Sequence, residues 1–177
     1  EMLRDTGDGC LIRFAKPSDA VRVALSFQYE LHRLKNSDGQ LPDSPDALRV
    51  RIGIHLGELT EIADPSGKPQ LVGMAINMAA RIMDLAQGGQ VLLTRAAFDD
   101  ARQYVREHPT TADGTTPTVQ WMAHGHYRFK GKDDDSLEVF EAGAAGLAPL
   151  RPPADTEKAR RAVSPEEEEL LGWRPAL

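Results

Sequence analysis

The sequence predicts an α+β domain in which helices flank an antiparallel sheet, and three stretches carry that prediction. Residues 48–56 alternate strictly, with Leu48, Val50, Ile52, Ile54 and Leu56 on one side and Arg49, Arg51, Gly53 and His55 on the other, as in a half-buried strand. Ala20, Ala24, Phe27, Leu31 and Leu34 recur at steps of four and three, as on the apolar face of a helix. Residues 72–94 read as helix, stop and strand: Ala75, Ile76, Ala79, Ala80, Ile82 and Met83 favour a helix, Gly88-Gly89 ends it, and residues 90–93 form a short apolar run.

In chain order, residues 1–4 and 10–14 predict two short strands joined through Asp5-Thr6-Gly7-Asp8-Gly9, because Asp-Gly is first of all a hairpin-turn sequence. Ser18 or Asp19 caps the first helix and Asn36-Ser37-Asp38-Gly39 breaks it; His32 within it reads as a surface or core-edge residue. A loop with Pro42 and Pro45 leads to the alternating strand. His55 and Glu58, three apart, point to opposite faces and make no metal site.

Asp64-Pro65-Ser66-Gly67 is a turn, which makes residues 59–62 and 70–72 the arms of a ribbon. The central helix follows, with Asn77 and Arg81 four residues apart on one face. Such a pair suits a sugar hydroxyl and a phosphate, and is equally ordinary for a solvated helix surface. Thr94 caps a helix from Arg95 to about Arg106, with Ala97, Ala101 and Val105 inward. Residues 108–118 are a polar loop, residues 119–123 and 126–129 pair as strands across Gly125, and residues 137–140 add another. His124 and His126 share a strand face, but with no third ligand in reach they read as surface residues.

The chain has 177 residues, enough for one domain and a tail, and a net charge of −6 with no basic cluster interleaved with aromatics, which disfavours nucleic acid binding. Cys10 is the single cysteine, which excludes an internal disulfide and is compatible with a reducing cytosol, so a cytoplasmic location is expected. No apolar run reaches the length of a membrane span, and no signal peptide is recognisable. Both ends read as cut from a larger protein. Beyond Gly143 the composition turns to Ala, Gly and Pro and then to an acidic run, so residues 1–143 are expected to form the domain and residues 144–177 a flexible linker.

Val72-Gly73, Ile76-Asn77, Ala79-Ala80-Arg81-Ile82 and the following Gly88-Gly89-Gln90-Val91-Leu92-Leu93-Thr94 together resemble the signature segment of the class III adenylate and guanylate cyclases. Thr6-Gly7-Asp8-Gly9, residues 51–57 and Tyr127-Arg128-Phe129-Lys130-Gly131 agree with it in order, so the resemblance covers about residues 2–142. It implies a ferredoxin-like nucleotide cyclase fold and a head-to-tail homodimer whose active sites lie at the interface. The activity implied is conversion of a nucleoside triphosphate into a 3′,5′-cyclic nucleotide and pyrophosphate, ATP to cAMP being favoured.

By the same resemblance Asn77 orients the ribose and Arg81 stabilises charge on the α-phosphate. Lys130, or nearby Lys132, contacts the terminal phosphates, although Lys130 alone also reads as an exposed strand-end cation. Asp8 matches the second of two carboxylates that hold a pair of divalent ions, Mg²⁺ or Mn²⁺, one activating the attacking hydroxyl and the other holding the departing phosphates. The strand that bears the family's first carboxylate has no counterpart here, which implies poor activity for this stretch alone. At the base-reading positions stand Arg4 and Gln70 in place of the Lys and Asp of adenylate cyclases or the Glu and Cys of guanylate cyclases, which leaves ATP, GTP and pyrimidine triphosphates open. A catalytically degenerate domain that binds nucleotide or dimerises to regulate an effector is the alternative. The ending Leu171-Gly172-Trp173-Arg174-Pro175 resembles the linker before a protein kinase in some bacterial cyclase fusions, while Trp173 serves equally as a local packing anchor.

Overall fold

A computed structural model describes residues 2–5, 9–37, 49–130 and 136–162, with the backbone alone at 2–5 and 35–37. A hairpin of β1 (Met2–Asp5) and β2 (Cys10–Ile12) opens the chain, with Asp5 opposite Cys10. Helix α1 (Pro17–Ser37) starts on a proline, whose fixed φ suits a first helical turn. Strand β3 (Ile52–Ile54) is shorter than its alternating pattern suggests. The ribbon of β4 (Thr60–Ala63) and β5 (Pro69–Val72) forms as expected, its turn held by Asp64 Oδ1, which accepts from Ser66 N at 2.8 Å and Lys68 N at 2.9 Å.

Helix α2 (Met74–Leu85), strand β6 (Val91–Thr94), helix α3 (Arg95–Ala101) and strands β7 (Gln120–Phe129), β8 (Ser136–Gly143) and β9 (Ala159–Arg161) complete the domain. The main sheet has the order β3-β6-β8-β7-β9. It is mixed rather than antiparallel throughout: β3 and β6 run parallel, because the chain crosses through α2 between them, and the remaining pairings are antiparallel.

One face of the sheet packs against α1 and α3 through Val21, Ala24, Leu25, Ile54, Val91, Leu93, Ala97, Ala101 and Ala142. The other packs against α2 through Ile82, Leu85, Leu92, Tyr127, Phe129, Val139 and Ala159. The buried row of α1 keeps Ala24 of the predicted stripe but is completed by Val21, Leu25 and Tyr29, while Phe27 and Leu34 stay 49% and 47% exposed. Helix α3 stops at Ala101, short of Arg106, and Thr94 gives it no side-chain cap because its hydroxyl meets His55 Nδ1 at 2.9 Å.

Gly125 is a bulge and not a turn, so the two strands expected around it are one strand, β7. Its φ of 83° suits glycine, and the pairing skips a residue there: Ala123 faces Phe140 and Gly125 faces Val139. The extra residue exchanges the two faces of the strand. Val119 and Trp121 therefore meet the α1/α3 core, while Tyr127 and Phe129, at the same odd spacing, meet α2.

Residues 144–162 correct the expectation of a flexible linker over residues 144–177. They fold back so that β9 extends the sheet beside β7, and Tyr127 OH donates to Pro153 O at 3.0 Å. Short Ala and Pro residues satisfy a tight return over the sheet as readily as a linker, which is why composition misread them. Residues 163–177 lie outside the described residues. Among the described residues no helix is long and apolar enough to cross a membrane.

Candidate active site

Helix α2 is seated by glycines on the strand beneath it. A Cβ on Gly53 would stand 2.3 Å from Met83 N and 2.6 Å from Ala79 O, so only glycine lets the helix backbone rest directly on β3. At the other end of that block, a Cβ on Gly57 would stand 2.8 Å from Ala75 Cβ. The scaffold strand thus sets the height of the helix at two points. Met78, Ile82 and Leu85 form its buried stripe, and the row of Asn77 and Arg81 runs along the edge of that stripe.

That position explains the state of Arg81. Asn77 is exposed, whereas Arg81 is half-buried and its Nη1 is shielded from solvent with no hydrogen-bond partner. An unmet buried donor costs about 1–3 kcal/mol, and more when it belongs to a charged group. A guanidinium held in that condition presents an unused donor to any phosphate or carboxylate oxygen that reaches it. One turn away, at about 6 Å along the axis, Asn77 offers both a donor and an acceptor.

The remaining expected site residues are less closely gathered. Gln70 is exposed on β5, opposite Ile62 in the ribbon that leads into α2. Lys130 is exposed at the end of β7; its N–H donates to Lys158 O at 2.8 Å, and Lys158 Nζ pairs with Asp84 Oδ2 at 2.7 Å, one turn beyond Arg81 on α2. Arg4 stands on β1, in the separate hairpin, where only the backbone is described. Asp8 and Lys132 lie outside the described residues. Among the described residues no three His, Cys, Asp or Glu side chains form a group able to hold a metal ion, so these residues alone do not fit the pair of divalent ions that the resemblance implies.

The histidines of β7 correct the expectation of two surface residues. His126 is exposed, but the bulge turns His124 inward, where its Nε2 meets Glu141 Oε2 at 2.8 Å with both side chains fully buried. Gln90 Nε2 donates to the same Oε2 at 2.8 Å and Leu150 N to Oε1 at 2.9 Å. Sequence reading passed over this polar network. Its one available signal was parity, since Glu141 alternates with Leu137 and Val139 on an inward-facing row.

No protein-family model matches the chain. Over 93 residues it is 42% identical to an uncharacterized protein of Mycobacterium tuberculosis, which covers 52% of this chain and 30% of that protein. Over 127 residues it is 29% identical to the receptor-type adenylate cyclase GRESAG 4.3 of Trypanosoma brucei brucei, covering 54% of this chain and 10% of that one. The chain thus spans less than a third of the length of these curated relatives. Among solved structures, the adenylate/guanylate cyclase/hydrolase from Silicibacter pomeroyi superposes with a TM-score of 0.59 at 20% identity, over 82% of this chain and 73% of that one.

Proposed function

We propose, from a chain that has the fold of the class III adenylate and guanylate cyclase domains, that it converts a nucleoside triphosphate into a 3′,5′-cyclic nucleotide and pyrophosphate, with ATP the favoured substrate. The observation that carries the reading is the buried, unpartnered Nη1 of Arg81 beside exposed Asn77 on the same face of α2. In the reaction the 3′-oxygen bonds to the α-phosphorus, the bond to the β-phosphate oxygen breaks, pyrophosphate leaves and the hydroxyl proton is lost. Such chemistry asks mainly for positioning and for stabilisation of charge. Arg81 supplies the donor for the α-phosphate oxygens and Asn77 orients the ribose. Lys130 meets the terminal phosphates, and Gln70 and Arg4 stand at the base-reading positions.

The working unit in this reading is a head-to-tail homodimer in the cytoplasm, serving intracellular signalling and joined in the longer protein to an effector such as a kinase. Asp8 of one subunit, together with carboxylates beyond the described residues, would bind the divalent ions. The test incubates the chain, with its parent's preceding segment restored, with each nucleoside triphosphate and Mg²⁺ or Mn²⁺. One cyclic nucleotide, lost in Arg81→Ala, is the expected result. Mixing Asp8→Ala with Arg81→Ala protein restores activity if the two residues serve one site from different subunits.

A second reading, a degenerate domain that binds nucleotide or dimerises without turnover, is favoured by Gln70 and Arg4 at the base-reading positions. A folded dimer that yields no product with any triphosphate would establish it and exclude the first.

A further inference from the structure

The far end of α2 borders a second cleft. From Asn77 to the last helical residue, Leu85, the axis rises about 12 Å. Just past Leu85, an open cavity of about 400 Å³ is lined by Arg49, Arg51, Gln87, Gly88 and Arg151. Arginines from two distant stretches of a chain with a net charge of −6, Arg51 beside β3 and Arg151 beyond β8, both border it. Among the described residues neither Arg51 nor Arg151 has a carboxylate partner. Two like charges without a counter-charge favour an anion placed between them.

The cleft is built rather than incidental. A Cβ on Gly88 would fall 2.6 Å from Arg49 Cβ, so glycine at that position lets the Arg49 stem lie against the turn. Gly89 N donates to Val50 O at 2.9 Å and Ile52 N to Gln90 O at 3.1 Å, which locks the Arg49–Arg51 segment to the turn after α2. The opposite wall is pinned from inside. Gln90 Nε2 donates to Arg151 O at 2.8 Å, Gln90 Oε1 accepts from Gln87 N at 2.8 Å, and Glu141 holds both Gln90 and Leu150. Leu150, directly before Arg151, is held at a φ of 45°, a left-handed conformation that costs a non-glycine residue on the order of 1 kcal/mol. The buried Gln90–His124–Glu141 network, which the catalytic reading does not use, therefore holds the backbone of Leu150 and Arg151 beside the turn after α2.

We propose that this cleft is a binding site for a small anion carrying two linked phosphate groups, separate from the α2 face that bears Asn77 and Arg81. Planar guanidinium forks pair with phosphate oxygens two at a time, and the forks of Arg51 and Arg151 match one phosphate group each. The volume suits a small ligand, and among the described residues the lining offers no aromatic or aliphatic side chain for a base or a lipid tail. The inference does not depend on the chain being a cyclase.

The experiment titrates the chain in an Arg81→Ala background with pyrophosphate, in chelator and at low salt, by calorimetry. The expected result is one site whose affinity falls about tenfold or more when Arg51→Gln and Arg151→Gln are added, with the melting temperature kept. Single orthophosphate ions should bind more weakly. Affinity unchanged by the two substitutions would overturn the proposal. So would equal binding of acetate, which would mean mere screening, or tighter binding at this cleft of a peptide carrying the Glu166 to Glu169 run, which would make the occupant a protein segment. A helix C-terminus attracts cations, so a loss of melting temperature with unchanged anion binding would reduce the three arginines to partners of α2 and also overturn it.

Discussion

The two faces of the main sheet are built on different terms. The face under α1 and α3 is filled by Ala, Val, Leu and Ile, with Phe98 stacked on Phe140 at a centroid distance of 3.9 Å. The face under α2 buries polar groups among its apolar ones: Glu141, His124 and Gln90 in contact, and Arg81 along the helix edge. Both buried side-chain atoms without a partner among the described residues, Arg81 Nη1 and His124 Nδ1, belong to this second side. Apolar packing specifies a core with no unmet demand, whereas buried polar groups hold the backbone at chosen points and leave donors waiting for a ligand. One face is a plain apolar core, and the other holds the polar groups on which the proposed chemistry rests.

The sharpest way to break that contrast is to treat both faces alike. Glu141→Leu leaves His124 Nε2 and Leu150 N–H without their acceptor, and a loss of about 3–5 kcal/mol in urea unfolding is expected. Adding His124→Leu should recover part of that loss, because replacing both members of a buried pair costs less than orphaning one. On the other face, Leu93→Ala should cost about 2–5 kcal/mol by opening a cavity, and no second truncation nearby should recover it. Equal behaviour of the two double variants would mean that the faces do not differ in kind.

How much of this was legible in the sequence follows the same division. The ribbon of β4 and β5, strand β6 and helix α2 are local: a turn sequence, an apolar run and a glycine stop each act within a few residues. The placement of Asn77 and Arg81 on one helix face was legible for that reason. What was not legible depends on distant partners. Nothing near Gly125 says bulge rather than turn, because the decision lies with β8, and that one residue sends His124 inward instead of beside His126. The return of residues 144–162 onto the sheet is likewise decided by Tyr127 and Glu141, far back in the chain. Gly53 shows the converse: its role is written as one letter, but only the closeness of Met83 N says why that letter is required.

Within the α2 face, Arg81→Ala separates function from stability. If the buried guanidinium waits for a phosphate, its removal should lower cyclic product formation by about 100-fold or more while leaving the urea midpoint unchanged or slightly raised, since an unmet donor is lost. Arg81→Lys should not restore activity, because an ammonium lacks the planar fork. A large fall in stability together with activity would instead assign Arg81 to the fold, and would make the α2 face resemble the other.

The smallest expected effect probes the margin of the apolar face. His108 sits in the loop after α3, its ring edge-on to Tyr29 of α1 at 5.9 Å and its Nδ1 3.0 Å from Pro109 O. Burial lowers its pKa from the ordinary 6.5, an effect opposed only in part by the bond to the Pro109 carbonyl. The unfolded chain therefore takes up this proton more readily than the folded one as pH falls through 6.5, and stability declines with pH until the folded pKa is passed. Asp64 and Asp113 are held below 3.8 by their hydroxyl and backbone hydrogen bonds, so their contribution is lost only at more acidic pH. Burial raises Tyr127 above 10.0, so it acts only in base. Urea midpoints compared at pH 7.5 and about 5.5 should thus fall modestly in the native chain, and His108→Asn should remove the part of the fall that this ring contributes. An unchanged pH dependence in the variant would remove His108 as its source, and the burial of this ring at the margin of the apolar face would then carry no cost in acid.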